Sequence, residues 1–63
     1  MGERLIEEYT ELVKKIVKLK VFIGGNTFKT LETDEQKLLL DQLDHMDGYY
    51  RCLNSRLLRL MKQ

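Results

Sequence analysis

The fold is decided by the stretch LLLDQLDHMDGYYRCLNSRLLRL, residues 38–60, in which apolar side chains recur every three or four positions. This spacing averages about 3.5 residues and places one narrow apolar seam along a single face of a helix. The seam consists of Leu39, Leu43, Met46, Tyr50, Leu53, Leu57 and Leu60. A helix with such a seam is stable in water only when the seam packs against another helix.

A second seam of the same period lies in the first third of the chain and supplies that partner helix. It consists of Leu5, Tyr9, Leu12, Ile16, Leu19 and Ile23. The segment Gly24-Gly25-Asn26 follows, and we expect it to end the helix with a left-handed cap, which glycine adopts at little cost. The segment Thr33-Asp34-Glu35-Gln36 fits a capping box and is expected to begin the next helix.

These signals predict an all-α fold with one helical-hairpin domain over residues 1–63. Its parts are a helix over 3–23, a connector over 24–33 and a longer helix over 34–62. Each helix has an acidic first half and a basic second half, so antiparallel packing places opposite charges side by side. The hairpin is expected to be antiparallel and coiled-coil-like.

The chain has only sixty-three residues and carries more apolar side chains than two helices can cover. Those outside the seams are Ile6, Val13, Val17, Val21 and Phe22 on the first helix, and Leu38, Leu40, Tyr49, Cys52, Leu58 and Met61 on the second. Packing of several hairpins into a larger bundle would bury them. The sequence therefore predicts a homo-oligomeric helical bundle.

The amino-acid composition limits the binding partners and the cellular compartment that we expect for this chain. A net charge of +1 gives no reason to expect binding to long nucleic acids, although the basic end of the second helix leaves a small nucleic-acid binder as an alternative. The single cysteine, Cys52, excludes an intrachain disulfide and suits a reducing compartment. No signal peptide is recognisable, and no apolar run approaches the ~20 residues needed to cross a bilayer. We expect a cytoplasmic protein without membrane partners.

The chain shows no pattern typical of an enzyme. Its only histidine, His45, follows Asp41 by four residues, a spacing that metal sites use but that an exposed, solvated pair explains more simply. Gly24-Gly25 is too short for a phosphate-binding loop and follows a helix rather than a strand. We expect no catalysis, no cofactor and no metal site.

One polar line on the second helix is a candidate binding surface. Gln42, Tyr49 and Arg56 are spaced seven apart, so they form a row beside the seam. The amide can form hydrogen bonds with the edge of a base, the aromatic ring can stack on the base, and the guanidinium can bind a phosphate. Further contributors from a neighbouring subunit are Asn26, Phe28, Tyr9 and either Lys18 or Lys20. The simpler interpretation is a polar flank that mediates subunit contacts.

These residues also carry a family resemblance over nearly the full length of the chain. Its more specific parts are the segment Phe22 to Phe28 and the series Gln42, Met46, Tyr49, Leu53, Arg56. In these the chain resembles the helical-hairpin domain shared by phage anti-CBASS and anti-Thoeris sponge proteins. The resemblance implies a non-catalytic oligomer, often a hexamer, that sequesters cyclic oligonucleotides or cyclic ADP-ribose isomers made by bacterial immune systems.

The resemblance and the polar line together predict an anti-defence sponge in the host cytosol that binds its ligand at subunit interfaces. Arg56 would pair with phosphate, Tyr49 or Phe28 would stack on a base, and Gln42 and Asn26 would supply hydrogen bonds. The alternative is a small oligomerisation module that binds a host or phage protein through the projecting end of the second helix.

Overall fold

The computed structural model describes residues 2–62, which form three helices. They are α1 (Gly2–Ile23), α2 (Asn26–Thr30) and α3 (Thr33–Met61). The prediction of an all-α fold is confirmed. The predicted connector contains a short helix of its own, α2, and α3 begins one residue earlier than predicted.

The end of α1 differs from the expected glycine cap. None of the described residues has a positive φ, so the left-handed cap predicted at Gly24-Gly25 is wrong. Gly25 instead adopts an extended conformation (φ −91°, ψ 175°), and its amide donates to the carbonyl of Phe22 at 3.1 Å. The physical reason is that Gly25 also serves as the N-cap of α2, so the chain passes directly from one helix into the next.

The start of α3 also differs from the prediction. The N-cap is Glu32 without a side-chain cap hydrogen bond, so the capping box proposed at Thr33 is wrong. The Gln36 side chain instead donates through Nε2 to the carbonyls of Phe28 (3.1 Å) and Leu31 (3.0 Å). Carbonyls at the end of a helix lack partners within it. The Phe28 carbonyl also accepts from the Leu31 amide at 3.2 Å, and the two hydrogen bonds from Gln36 tie the end of α2 to α3.

The core lies between α1 and α3. It consists of Leu5, Leu12 and Ile16 from α1 and Leu53 from α3, and Leu53 is fully buried. Tyr9, early in α1, meets Tyr50, late in α3, with 3.0 Å between the hydroxyl oxygens. Arg4, Leu5 and Glu8, near the start of α1, line a cleft together with Arg56. Arg56 lies closer to the end of α3 than Tyr50 does. The two long helices therefore run in opposite directions.

The chain is elongated and leaves much apolar surface uncovered. It measures 48 × 15 × 14 Å and exposes 5428 Å², whereas a compact folded monomer of its mass exposes about 4,200 Å². Large apolar side chains that are more than a third exposed are Ile6, Val17, Val21, Phe22, Leu38, Leu40, Tyr49, Leu58, Leu60 and Met61. Within residues 2–62, no helix combines the length and the apolar character needed to span a membrane.

Gly48, in the middle of α3, has open surroundings. A Cβ atom built at this position would meet no other described atom within 4 Å. A glycine in the middle of a helix can permit a close approach of another helix, but α1 makes no such approach here. Gly48 lies about 170° around α3 from the seam, at 100° per residue.

Candidate functional site

The predicted polar line is present on α3 and is exposed. Gln42, Tyr49 and Arg56 follow each other at two-turn intervals, about 10 Å apart along the axis. Tyr49 is 48% exposed, so its ring is available to a partner or ligand. The three side chains thus share one edge of the helix pair and span about 21 Å of it.

Arg56 lies in a cleft between the two long helices. The cleft has a volume of about 280 Å³ and is lined by Arg4, Leu5 and Glu8 of α1 together with Arg56. Within residues 2–62, the one salt bridge joins Lys14 and Glu11 in α1. Neither Arg4 nor Arg56 therefore pairs with Glu8 or with another described carboxylate. Two guanidinium groups beside one carboxylate leave a positive surplus that suits an anion.

Asn26 and Phe28 lie far from Arg56 along the same chain. Both belong to α2, where Phe28 packs edge-to-face against Phe22 with 6.4 Å between ring centroids and 89° between planes. The Phe28 carbonyl binds Gln36, and twenty residues of α3, about 30 Å, separate Gln36 from Arg56. A ligand much shorter than this distance cannot touch both α2 and Arg56 of one chain.

A larger groove lies along the helix pair, and we call it the tyrosine groove. It has a volume of about 350 Å³ and is lined by Tyr9, Val13, Ile16, Val17, Lys20, Asp47 and Tyr50. None of the three residues of the polar line contributes to its walls. Helix geometry places Asp47 and the polar line on opposite sides of the α3 seam, so the groove and the Arg56 cleft follow opposite edges.

Two tyrosines form one end of the tyrosine groove. The rings of Tyr9 and Tyr50 are 5.3 Å apart at 32°, and their hydroxyl oxygens are 3.0 Å apart. The hydrogen bond to the Tyr50 hydroxyl raises the pKa of Tyr9, with smaller contributions in the same direction from desolvation and from the charge interaction with Tyr50. The Tyr9 phenol therefore remains protonated at neutral pH, and both aromatic rings border the groove.

Lys20, and not Lys18, lines the same groove as Tyr9. The sequence left these two lysines as alternatives, and the structure brings Lys20 into the groove. Lys18 is exposed about 140° around α1 from the seam, on the outer face. Sequence reasoning missed Asp47 and Tyr50 as groove residues. Their spacing was the available signal. Tyr50 is a seam residue, and Asp47 precedes it by three residues, so the two side chains are neighbours on the surface of α3.

Within the described residues, His45 contacts the backbone of Asp41. His45 Nδ1 lies 2.7 Å from the backbone carbonyl of Asp41, and since a carbonyl can only accept, this nitrogen carries the proton. Residues 2–62 contain no group of three or more His, Cys, Asp or Glu side chains arranged to hold a metal ion. The groups that the groove and the cleft present are aromatic faces, hydroxyls, the two charges of Lys20 and Asp47, and a pair of guanidinium groups.

Comparison with known proteins places this helix pair in a family. The sequence profile of the family described as Sequestin matches residues 2–59, nearly the whole chain. The chain belongs to the Sequestin family. It is also similar to an uncharacterized 7.5 kDa protein from the denB–rIIB intergenic region of Enterobacteria phage T4, at 41% identity over 54 residues. That match covers 86% of this chain and 84% of the phage protein. No solved structure matches the chain.

Proposed function

We propose that this Sequestin-family protein is a non-catalytic phage sponge that binds and sequesters a cyclic nucleotide immune signal in the cytosol of its bacterial host. The family name points to sequestration, and a phage encodes a relative of nearly equal length. The ligand class, cyclic oligonucleotides or cyclic ADP-ribose isomers, comes from the resemblance to anti-CBASS and anti-Thoeris sponges. Sequestration requires tight, specific binding and no chemical step.

The observation that carries the proposal is the uncovered apolar surface. The chain exposes roughly 1,200 Å² more than a compact monomer of its mass, and a standard interface buries about 800 Å² on each partner. Self-association through the exposed apolar side chains would remove that surface from water. We therefore propose that hairpins assemble into a homo-oligomer, with a hexamer as the size implied by the resemblance.

Assembly would also complete the ligand sites. Arg56 and Tyr49 lie on an exposed edge, with Gln42 at its far end. This edge has a cleft that suits an anion but no opposite aromatic wall among residues 2–62. A second copy packed along the edge would provide that wall. Asn26, Phe28 and Lys18, which are remote from Arg56 in one chain, would reach the ligand from a neighbouring copy.

Isothermal titration calorimetry against cyclic dinucleotides, cyclic trinucleotides and cyclic ADP-ribose isomers tests the proposal. We expect one of them to bind, and Arg56→Ala to weaken that binding by roughly 1.5–3 kcal/mol, the range for hydrogen bonds to charged groups. Arg51→Ala is a matched control, because Arg51 is exposed on α3 but lines neither the cleft nor the groove. Absence of binding tighter than about 100 μM across the panel would refute the sponge function.

A second candidate function has its own structural support. At the end of α3, Leu58, Leu60 and Met61 are exposed, and Met61 is 80% exposed. An apolar helix end of this kind suits a groove on another protein. Capture of a stoichiometric host or phage protein that is lost in Leu58→Glu, with no cyclic nucleotide changing the melting temperature, would favour an interaction module over a sponge.

A further inference from the structure

We propose that the tyrosine groove is a nucleotide subsite, in which Lys20 binds an anionic group of the ligand and Asp47 accepts hydrogen bonds from its base or ribose. This assignment rests on the proposed function for its ligand class. It adds a site within a single chain, on the edge opposite to the polar line; the sequence predicted Tyr9 and either Lys18 or Lys20 as ligand contacts from a neighbouring subunit, but it did not predict Asp47, Tyr50 or a groove that one chain forms alone.

The shape and lining of the groove suit a flat ring. Its volume of about 350 Å³ lies at the lower end of the range for ligand pockets, about 300–1,000 Å³. It therefore has room for one nucleotide unit of a ligand. Val13, Ile16 and Val17 supply apolar contact area, and the rings of Tyr9 and Tyr50 supply aromatic surface. A purine or pyrimidine gains from both kinds of contact.

The two tyrosine hydroxyls offer a directed donor. Each phenol carries one proton, and the 3.0 Å bond between Tyr9 and Tyr50 uses one of the two. The second proton is free to point towards a ligand in the groove. A donor held in this way loses little conformational entropy when the ligand binds, because the hydrogen bond between the tyrosines already fixes both side chains.

The two charged side chains of the groove are available to a ligand. Lys20 comes from α1 and Asp47 from α3, and neither forms a hydrogen bond or a salt bridge with another side chain of the described chain. An ammonium binds phosphate as a point charge, and a carboxylate accepts the paired donors of an amino edge or a ribose diol. A nucleotide presents both groups at once, whereas an apolar ligand would leave both charges unpaired at the mouth of the groove.

The Arg56 cleft does not offer the same combination. It is smaller, at about 280 Å³, and its lining of Arg4, Leu5, Glu8 and Arg56 includes no aromatic ring. The cleft suits an anion alone. The tyrosine groove suits a base or ribose together with an anion, so the two sites make separable predictions.

Paired lysine variants test the assignment. Lys20→Met and Lys14→Met remove the same charge from the same helix, but Lys14 is exposed and pairs only with Glu11 at 3.5 Å. Affinity for the best ligand among cyclic dinucleotides, cyclic trinucleotides and cyclic ADP-ribose isomers is measured by calorimetry. We expect Lys20→Met to weaken binding at least about tenfold, Asp47→Asn to weaken it, and Lys14→Met to change it less than about twofold.

Intrinsic fluorescence supplies a second readout. The chain has three tyrosines and no tryptophan, so in Tyr49→Phe the remaining emission comes from Tyr9 and Tyr50 alone. We expect the same ligand to quench this emission on binding. The melting temperature of each variant is recorded, so that a loss of folding is distinguished from a loss of binding.

The possible outcomes separate the two proposals. Equal affinity of the Lys20→Met and Lys14→Met variants, with unquenched tyrosine emission, would overturn the groove assignment. If binding then still depends on Arg56, the sponge function stands and the ligand lies on the other edge. Absence of binding by the unmodified protein to every ligand of the panel would overturn both.

Discussion

Replacement of Gly48 by alanine should stabilise the protein. Glycine in a helix interior is about 1 kcal/mol less favourable than alanine, because it loses more backbone freedom on folding. The added methyl group would meet no described atom within 4 Å, so no steric cost offsets the gain. In a domain of this size, 1 kcal/mol corresponds to an increase in melting temperature of about 4–8 °C.

Thermal unfolding followed by far-UV circular dichroism measures this effect at matched protein concentration, since the melting temperature of an oligomer depends on concentration. Gly2→Ala is the matched control. A Cβ at Gly2 also meets nothing within 4 Å, but Gly2 is the first residue of α1, where helix ends fray and propensity counts for little. The control should change the melting temperature by much less than Gly48→Ala.

The refuting result is a melting temperature that stays constant or falls in Gly48→Ala. Such a result, together with a smaller particle in sedimentation, would mean that another copy packs closely on the outer face of α3. The interface would then lie on that face and not on the edges that carry the exposed apolar side chains.

Three further predictions concern the core, the connector and the tyrosine pair. Leu53→Ala should lower the free energy of unfolding, measured with urea, by about 3–5 kcal/mol, because Leu53 is fully buried. Leu38→Ala, at an exposed position, should lower it by less than about 0.5 kcal/mol. Similar losses in the two variants would contradict the assigned core. Gln36→Leu should lower the free energy of unfolding by about 1–2 kcal/mol and speed hydrogen exchange in α2, because it removes the hydrogen bonds to the carbonyls of Phe28 and Leu31; unchanged exchange would contradict a role of Gln36 in holding α2 against α3. The pKa of Tyr9 is higher in the folded state than in the unfolded state, so the protonated phenol stabilises the fold. This contribution is fully present below the unfolded pKa, which lies near 10. It is lost as the pH rises through the folded pKa. Alkaline melting curves of the unmodified protein and of Tyr50→Phe should therefore converge at high pH, and parallel curves would rule out the coupling.

The sequence was most informative where a periodic pattern had a single physical solution. The seam residues Leu5, Leu12, Ile16 and Leu53 are the buried ones, because a 3.5-residue period can be satisfied only by packing one helix face against another. The bounds of the two long helices agree with the prediction to within one residue at each end, although the cap conformations from which those bounds were predicted are wrong. The excess of apolar residues off the seams was also visible, and most of these side chains are exposed in the structure. Val13 is half-buried, and Leu60, which was assigned to the seam, is exposed because it lies near the end of α3.

The local ends of the helices were not predictable in the same way. Gly25 and Gln36 each have several acceptable local conformations, and the choice depended on α2, whose five residues are too few to show a period. Once α2 forms, Gly25 must serve two helices and Gln36 has carbonyls within reach. The tyrosine groove was missed for a related reason. Its walls come from two helices, and the sequence does not state which edge positions on α1 face which on α3.

Ligand binding and assembly should be coupled if the sponge proposal holds. The polar line and the tyrosine groove follow opposite edges of one thin helix pair, and apolar side chains such as Val17 and Tyr49 lie exposed beside them. A second copy that covers an edge would therefore bury apolar surface and close a ligand site in the same step. Linkage then requires that ligand strengthen assembly by the same factor by which assembly strengthens ligand binding.

Sedimentation at decreasing protein concentration tests this coupling, with and without saturating ligand. We expect the ligand to shift dissociation to lower protein concentration, and Val17→Asp to weaken both assembly and ligand affinity. Lys14→Asp, which changes the charge further on an exposed position of the same helix, should weaken neither substantially. A ligand that binds with equal affinity at all protein concentrations would show that each helix pair holds its ligand alone, and that the exposed apolar edges serve some other contact.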